Sequence, residues 1–328
     1  MCGIFGVSRL TDTTKWMLPH LAWDMESRGK DSWGCTNGVD IIKHLGPIHE
    51  TWMQALPKFW NWSGGIFHTR AASTGAITVE NQHPFTVESF DETDGKSIKT
   101  IIGIHNGIVS NHEALNRHHN RNFDCDSPHI FMALAGFSET SEILGYGNLA
   151  WYEITQDNPI PDLHLLRFNN DALHIAYLTT GELVFASLKD SIIRAATFAG
   201  SKVEKFYEIQ GDTEYRVMID PTTHDKLERV TQRTFGLRAS YQTTYQDSSI
   251  HRRGYHTSQE RFPIVHHTRD SSKKLNISMV GAVDRLNNVC LVSGCSNKVT
   301  SRRKEVLCSS CMNEVIQHQQ KAIEIVTS

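Results

Sequence analysis

The sequence predicts an α+β protein whose sheets are mixed or antiparallel, with helices packed on their outer faces. Three observations carry this expectation. Short apolar runs recur at 2–7 (CGIFGV), 64–69 (GGIFHT), 100–105 (TIIGIH), 172–178 (ALHIAYL) and 182–187 (ELVFAS), lengths that suit buried strands. Helical spacing falls between them. At 16–28, Met17, Leu21 and Met25 share a face; at 127–137, Pro128 takes a favoured first-turn position and Asp126 is placed to cap. Several strands run into hairpin-like turns instead of long crossovers, which favours antiparallel neighbours.

Beyond about 205 the texture changes. Residues 229–274 hold nine Lys or Arg against three acids, with HRR and HHTR runs among Ser, Thr, Gln and Tyr. The expected organisation is therefore a globular region at 1–205, a basic and partly disordered connector at 206–285, and a small module at 286–328. The connector reads either as solvated chain or as a surface for a polyanion such as nucleic acid, since clustered Arg and Lys make phosphate contacts.

Composition narrows the class. The 328 residues are 39% hydrophobic and 21% charged, with a net charge of −3, which suits a soluble protein and excludes a whole-chain polyanion binder. No apolar stretch approaches the roughly 20 residues that cross a bilayer, and no basic segment followed by an apolar block marks a leader. Of seven cysteines, four crowd together near residue 300, and an odd total fits a reducing cytoplasm with a metal site better than a disulfide framework.

One cysteine stands apart. Cys2 follows the initiator Met in MCGIFGV, where packing neighbours exist on one side only. If Met1 is removed, Cys2 carries a thiol and a free α-amine in one residue. A thiol is mostly protonated at neutral pH, its ordinary pKa being about 8.5, and an α-amine titrating near 8 can take that proton. Nucleophile and base then reside in Cys2 alone. Cys35 and Cys125 read as ordinary small apolar residues.

Three distant stretches bear on this terminus: ESRGKDSWG (26–34), GGIFHTRAASTG (64–75) followed by NQHPF (81–85), and IGIHNGIVSNHEAL (102–115). Each joins an apolar strand to a turn rich in Gly, Asn, Arg or Thr, where scaffolds display functional groups. Together with MCGIFG and in this order, they resemble the class II glutamine amidotransferases, over roughly residues 1–200. Within that family the stretches RGKDSWG, HTRAASTG and HNGIVSNHEAL resemble glucosamine-6-phosphate synthase.

The resemblance implies a four-layer αββα sandwich of the N-terminal-nucleophile hydrolase type and hydrolysis of L-glutamine through Cys2. Asn106 and Gly107 would form the oxyanion hole, although Asn-Gly alone more often marks a hairpin turn. Arg70 would hold the glutamine carboxylate with a two-pronged fork. Ser73 matches a pocket threonine of the family, whereas Ala71 and Thr74 replace an aromatic residue and a histidine. Asp126 fits best as the anion for the substrate ammonium, with Asp124 a competitor and Pro128 a departure from the family pattern. Arg28 and His83 are expected to brace the site through hydrogen bonds.

The residues after 205 are too few for the sugar-phosphate isomerase modules of glucosamine synthases. The only SGG, at 63–65, runs straight into a strand, unlike the ATP loop of asparagine synthetases. KDSIIRAAT (189–197) lacks the paired acids and glycine of a phosphoribosyl-pyrophosphate loop and falls where a turn and helix belong. A separate synthase accepting the ammonia is the expected partner. At the C-terminus, Cys290, Cys295, Cys308 and Cys311 form two short-spaced pairs suited to a structural Zn2+, in a ribbon or treble-clef arrangement with a helix at 309–326. No cofactor is needed for the amide chemistry itself. Two competing readings remain: a non-catalytic zinc- and nucleic-acid-binding regulator that kept the fold, and a hydrolase acting on another amide.

Overall fold

In a computed structural model the chain is described at residues 2–90, 97–169, 173–220 and 222–236. The C-terminal module, its four cysteines and its helix lie outside those residues, as does most of the basic stretch.

Two antiparallel sheets form the body. The first has seven strands, in the order β11-β9-β10-β1-β4-β2-β3. Its central members are β1 (Gly3–Val7), β4 (Gly65–Arg70) and β10 (Leu183–Ala186). Around them lie β2 (Ser32–Thr36), β3 (Ile41–Leu45), β9 (His174–Leu178) and β11 (Val203–Glu208). The second sheet, β13-β12-β8-β7-β6-β5, is built on β6 (Ser97–Val109) and β7 (Gly145–Thr155), with β5 (Phe85–Phe90), β8 (Asp162–Phe168), β12 (Thr213–Met218) and β13 (Lys226–Gln232).

Side-chain alternation along these strands sorts the core into layers. On β1, Phe5 and Val7 point to one face and pack under α1 (Asp12–Glu26), α2 (Ile48–Phe59) and α5 (Lys189–Phe198). Ile4 points to the other face and meets Ile66, Phe185, Ile104, Ala150 and Leu165 between the two sheets. On β7, Ala150 and Tyr152 join that inner layer, while Leu149 and Trp151 turn outward to Phe131 and Leu134 of α4 (Pro128–Leu134) and Leu115 of α3 (His112–His118). The layer order is helices, sheet, sheet, helices.

All five strand expectations are met, with ends shifted by a few residues, and α5 occupies the stretch of KDSIIRAAT. Three differences have physical causes. Helix α1 begins four residues before the apolar spacing does, because Thr11 and Thr14 cap it reciprocally through hydroxyls in place of an acidic partner. Asp126 does not cap α4. Ser127 stands at that position without a side-chain cap bond, since its hydroxyl meets His105 Nδ1 at 2.9 Å and the Asp126 carboxylate is drawn to β6. Paired structure also continues past 205: β11 extends the first sheet, and β12 and β13 extend the second, so residues 206–232 are not wholly a connector. In sequence β11 and β13 look like solvated chain because both are edge strands with exposed, polar residues. None of the described helices is long and apolar enough to cross a membrane.

Phe185 is fully buried between the sheets. Phe185→Ala is expected to lower stability by about 3–5 kcal/mol, read as a reduced urea midpoint at unchanged slope.

Candidate active site

The site forms where β1 and β4 end together. Their register pairs Gly3 with Thr69, so Cys2 comes level with the end of β4 and Arg70. Parity does the rest. Cys2 and Ile4 share a face of β1, Arg70 shares one with Ile66 and His68, and Asn106 shares one with Ile104. All three residues therefore leave their strands on the faces that look across the inter-sheet space.

Cys2 is half-buried, and its Sγ lies 3.5 Å from the carbonyl oxygen of Ala71. Burial raises the thiol pKa above its ordinary value, opposed in part by the positive charge of Arg70. The thiol thus stays protonated at neutral pH and needs a base before it can attack. Arg28 braces the backbone here, with its Nε donating to the Cys2 carbonyl at 2.7 Å.

Arg70 is almost fully buried. Its Nη1 donates to Ala76 O at 3.1 Å and its Nη2 to Thr74 O at 2.7 Å, so the guanidinium gathers the loop that follows β4. The turn at 28–31 supports the same segment. Asp31 N–H donates to Arg70 O at 3.0 Å, and Asp31 Oδ2 accepts from Ala72 N–H at 2.7 Å. A Cβ on Gly29 would lie 2.3 Å from the Arg70 carbonyl carbon, so only glycine allows this approach. Ser73 sits exposed in the loop.

Asn106 Nδ2 donates to Ser187 Oγ at 3.3 Å, and the same oxygen accepts from Ile4 N–H at 3.0 Å. Ser187 therefore ties the amide of Asn106 to the strand that carries Cys2. Gly107 pairs with Gly147, and a Cβ there would meet Tyr146 O at 2.0 Å. Its identity is set by this close backbone approach.

The two candidate acids separate cleanly. Asp126 is buried, accepts from Val109 N–H at 2.7 Å, and its charge acts on the Cys2 thiol. Asp124 is exposed and already engaged, accepting from Ala76 N–H at 2.8 Å and Asn81 Nδ2 at 2.6 Å. It fastens the Arg70 loop. Cys35 and Cys125 are both buried, and burial pushes the Cys125 thiol up to about 11.

His83 acts differently from expectation. Neither ring nitrogen has a hydrogen-bond partner among the described residues, and the ring packs on His68 at 4.0 Å between centroids. It braces by packing. His68 in turn lies 3.1 Å from His105 O through Nε2. Burial keeps all three histidines neutral: His68 is lowered to about 3, His83 falls well below its ordinary value, and His105 is lowered despite the Asp126 charge.

Sequence reasoning missed Ser187, Asp31 and Ser127, whose roles depend on contacts between distant elements. Two cavities lie elsewhere. One of about 300 Å³ is on the outer face of the second sheet, and one of about 590 Å³ lies beside β5; Cys2, Arg70 and Asn106 line neither.

The Cys2 thiol shares the inter-sheet face with the Arg70 guanidinium and the Asn106 amide and lies within the field of Asp126; a thiol in this setting can act as a nucleophile once a base takes its proton. The chain is 32% identical over 124 residues to the isomerizing glutamine–fructose-6-phosphate aminotransferase of Francisella tularensis, a match covering 36% of this chain and 18% of that one. The corresponding enzyme of Methanosarcina mazei is 34% identical over 118 residues, again 18% of its length. These likenesses bear out the relationship to class II glutamine amidotransferases read from the sequence, and the relatives are enzymes. The match spans about a fifth of their length. No family model matches the chain. A solved structure described as the allosteric regulatory enzyme of purine biosynthesis is 20% identical, with a TM-score of 0.48 over 70% of this chain and 49% of that one.

The neutral histidines give a pH prediction. Unfolding lets each recover its ordinary pKa near 6.5, so below about 6.5 the unfolded chain binds more protons, for His68 down to about 3. Stability is then complete above 6.5 and falls as pH drops through that window, by up to about 1.4 kcal/mol per pH unit for each histidine. His83→Phe is expected to flatten this acid limb by about one proton, measured as unfolding free energy against pH.

Proposed function

We propose that the chain hydrolyses L-glutamine to glutamate and ammonia at Cys2, as the glutaminase part of an amidotransferase of the N-terminal-nucleophile type. The observation that carries this reading is the position of Cys2. Its thiol adjoins Ala71, immediately after the buried Arg70, on the inter-sheet face shared with Asn106 and within the field of Asp126.

In this reading removal of Met1 frees the α-amine of Cys2, which takes the thiol proton as sulfur attacks the carboxamide carbon. The Asn106 amide and the Gly107 N–H stabilise the oxyanion. The C–N bond then breaks, the α-amine returns its proton to the leaving nitrogen, and ammonia departs. Water attacks the γ-glutamyl thioester, the C–S bond breaks, and glutamate and the thiol are restored. Asp126 faces the substrate ammonium and Arg70 its carboxylate, which exchanges with the loop carbonyls now held by the guanidinium. Ser73 lies on the loop at the pocket rim.

In this reading the ammonia passes to a separate acceptor enzyme. Cys290, Cys295, Cys308 and Cys311 hold a structural Zn2+ on the strength of their paired spacing, and the basic stretch between the globular region and this module suits a nucleic acid.

Three measurements test the reading. Intact mass after treatment with a glutamine-like diazo-ketone is expected to show loss of Met1 and one adduct on Cys2; a retained Met1 in the native host refutes it. Asn106→Ala is expected to lower kcat about 10²–10³-fold. Asp126→Asn is expected to raise KM for glutamine about 10–100-fold, the worth of a charge-assisted hydrogen bond of about 1.5–3 kcal/mol.

A further inference from the structure

We propose that His118, His119 and Glu142 form a binding site for a divalent transition-metal cation, of the zinc, cobalt or nickel kind, on the outer helical layer of the second sheet. Nothing in the glutaminase reading uses these residues, and the site stands independently of it.

His118 is the last residue of α3, and His119 follows as its C-terminal cap. Glu142 closes a short 3₁₀ turn, Thr140–Glu142, that packs beside them. One ligand atom from each residue lies within 4.8 Å of the other two, the one such group among the described residues. His119 Nε2 and Glu142 Oε2 are 2.7 Å apart. Two imidazole nitrogens and one carboxylate oxygen are the donor set that zinc, cobalt and nickel accept, with water completing the shell. A cation here takes the place of the proton now shared between His119 and Glu142.

The ligands are fixed by contacts that do not depend on an ion. Glu142 Oε1 accepts from Glu139 N–H at 3.0 Å, leaving Oε2 for the histidines. Asn111 joins the two elements, donating to Glu142 O at 2.8 Å and accepting from Leu144 N–H at 2.9 Å. His119 N–H donates to Leu115 O at 3.0 Å. A site assembled in advance loses little conformational freedom on binding.

Solvent reaches the group, since His118 is exposed and the other two are half-buried. Arg121 lies near enough for the Glu142 charge to act on it, and its Nη2 donates to Phe137 O at 3.3 Å, so its guanidinium opposes a cation at this place. The site therefore binds more weakly than a four-thiolate centre.

Equilibrium dialysis of the full chain against Zn2+ tests this by difference. Wild type is expected to hold one more equivalent than His118→Ala, and His119→Ala and Glu142→Gln are expected to lose the same equivalent. The C-terminal cysteines are common to every variant and cancel. His118→Ala removes an exposed ring and is expected to melt as wild type does, so its loss reports ligation and not folding. The Co2+ difference spectrum, wild type minus His118→Ala, is expected to show weak ligand-field bands only. Equal metal content in wild type and His118→Ala overturns the proposal, as does a difference spectrum carrying thiolate-to-cobalt charge transfer.

Discussion

Strand parity across the inter-sheet space is the constraint on which the rest of this structure depends. Ile4, Ile66, Ile104 and Phe185 fill a dry layer between two antiparallel sheets, and each is fully buried. That layer fixes which way every second side chain points. Slipping β1 by one residue would turn Ile4 toward the helices and Phe5 toward the opposite sheet, exchanging the two cores. The positions of Cys2, Arg70 and Asn106 follow from the same alternation, because each lies an even number of residues from an inner-layer isoleucine. Packing, not local preference, aims the functional groups.

Where the apolar layer ends, the buried polar groups are partnered in a definite order. Arg70 gathers the carbonyls of the loop after β4, Asp31 and Asp124 hold the backbone N–H groups of that loop, and Asp126 takes the last N–H of β6. Uncompensated charge would be costly there, and the three neighbouring histidines avoid it by remaining neutral. Among the described residues, the charges of Arg70 and Asp126 act on the thiol in opposite senses. In a poorly solvated setting these two act on Cys2 more strongly than surface charges could.

The strands of the two sheets that carry Cys2, Arg70 and Asn106 were legible as apolar runs, because a strand buried on both faces needs no polar alternation. The edge strands β11 and β13 were not: they are half solvated, and their composition matches loops. For Asp126 the local signal was misleading. An acid two residues before Pro128 fits a helix cap, yet the nearer N–H in space belongs to Val109, distant in sequence. His83 misled in the other direction. A histidine among polar motif residues suggested hydrogen bonds, and its ring instead packs at a tilt against His68 and edge-on to Phe85.

By itself the sequence determined which residues carry reactive groups and in what order they occur: a cysteine directly after Met1, an arginine closing one strand, Asn-Gly within another, and acids ahead of a proline-led helix. Those are properties of single positions and short spacings. The tertiary structure alone decided that Asp126 and not Asp124 shares the buried space with Cys2, that Ser187 links Asn106 to the strand of the nucleophile, and that His118, His119 and Glu142 converge. Each of these depends on which backbone groups from remote segments are left needing a partner, and that is settled only when the sheets close on one another.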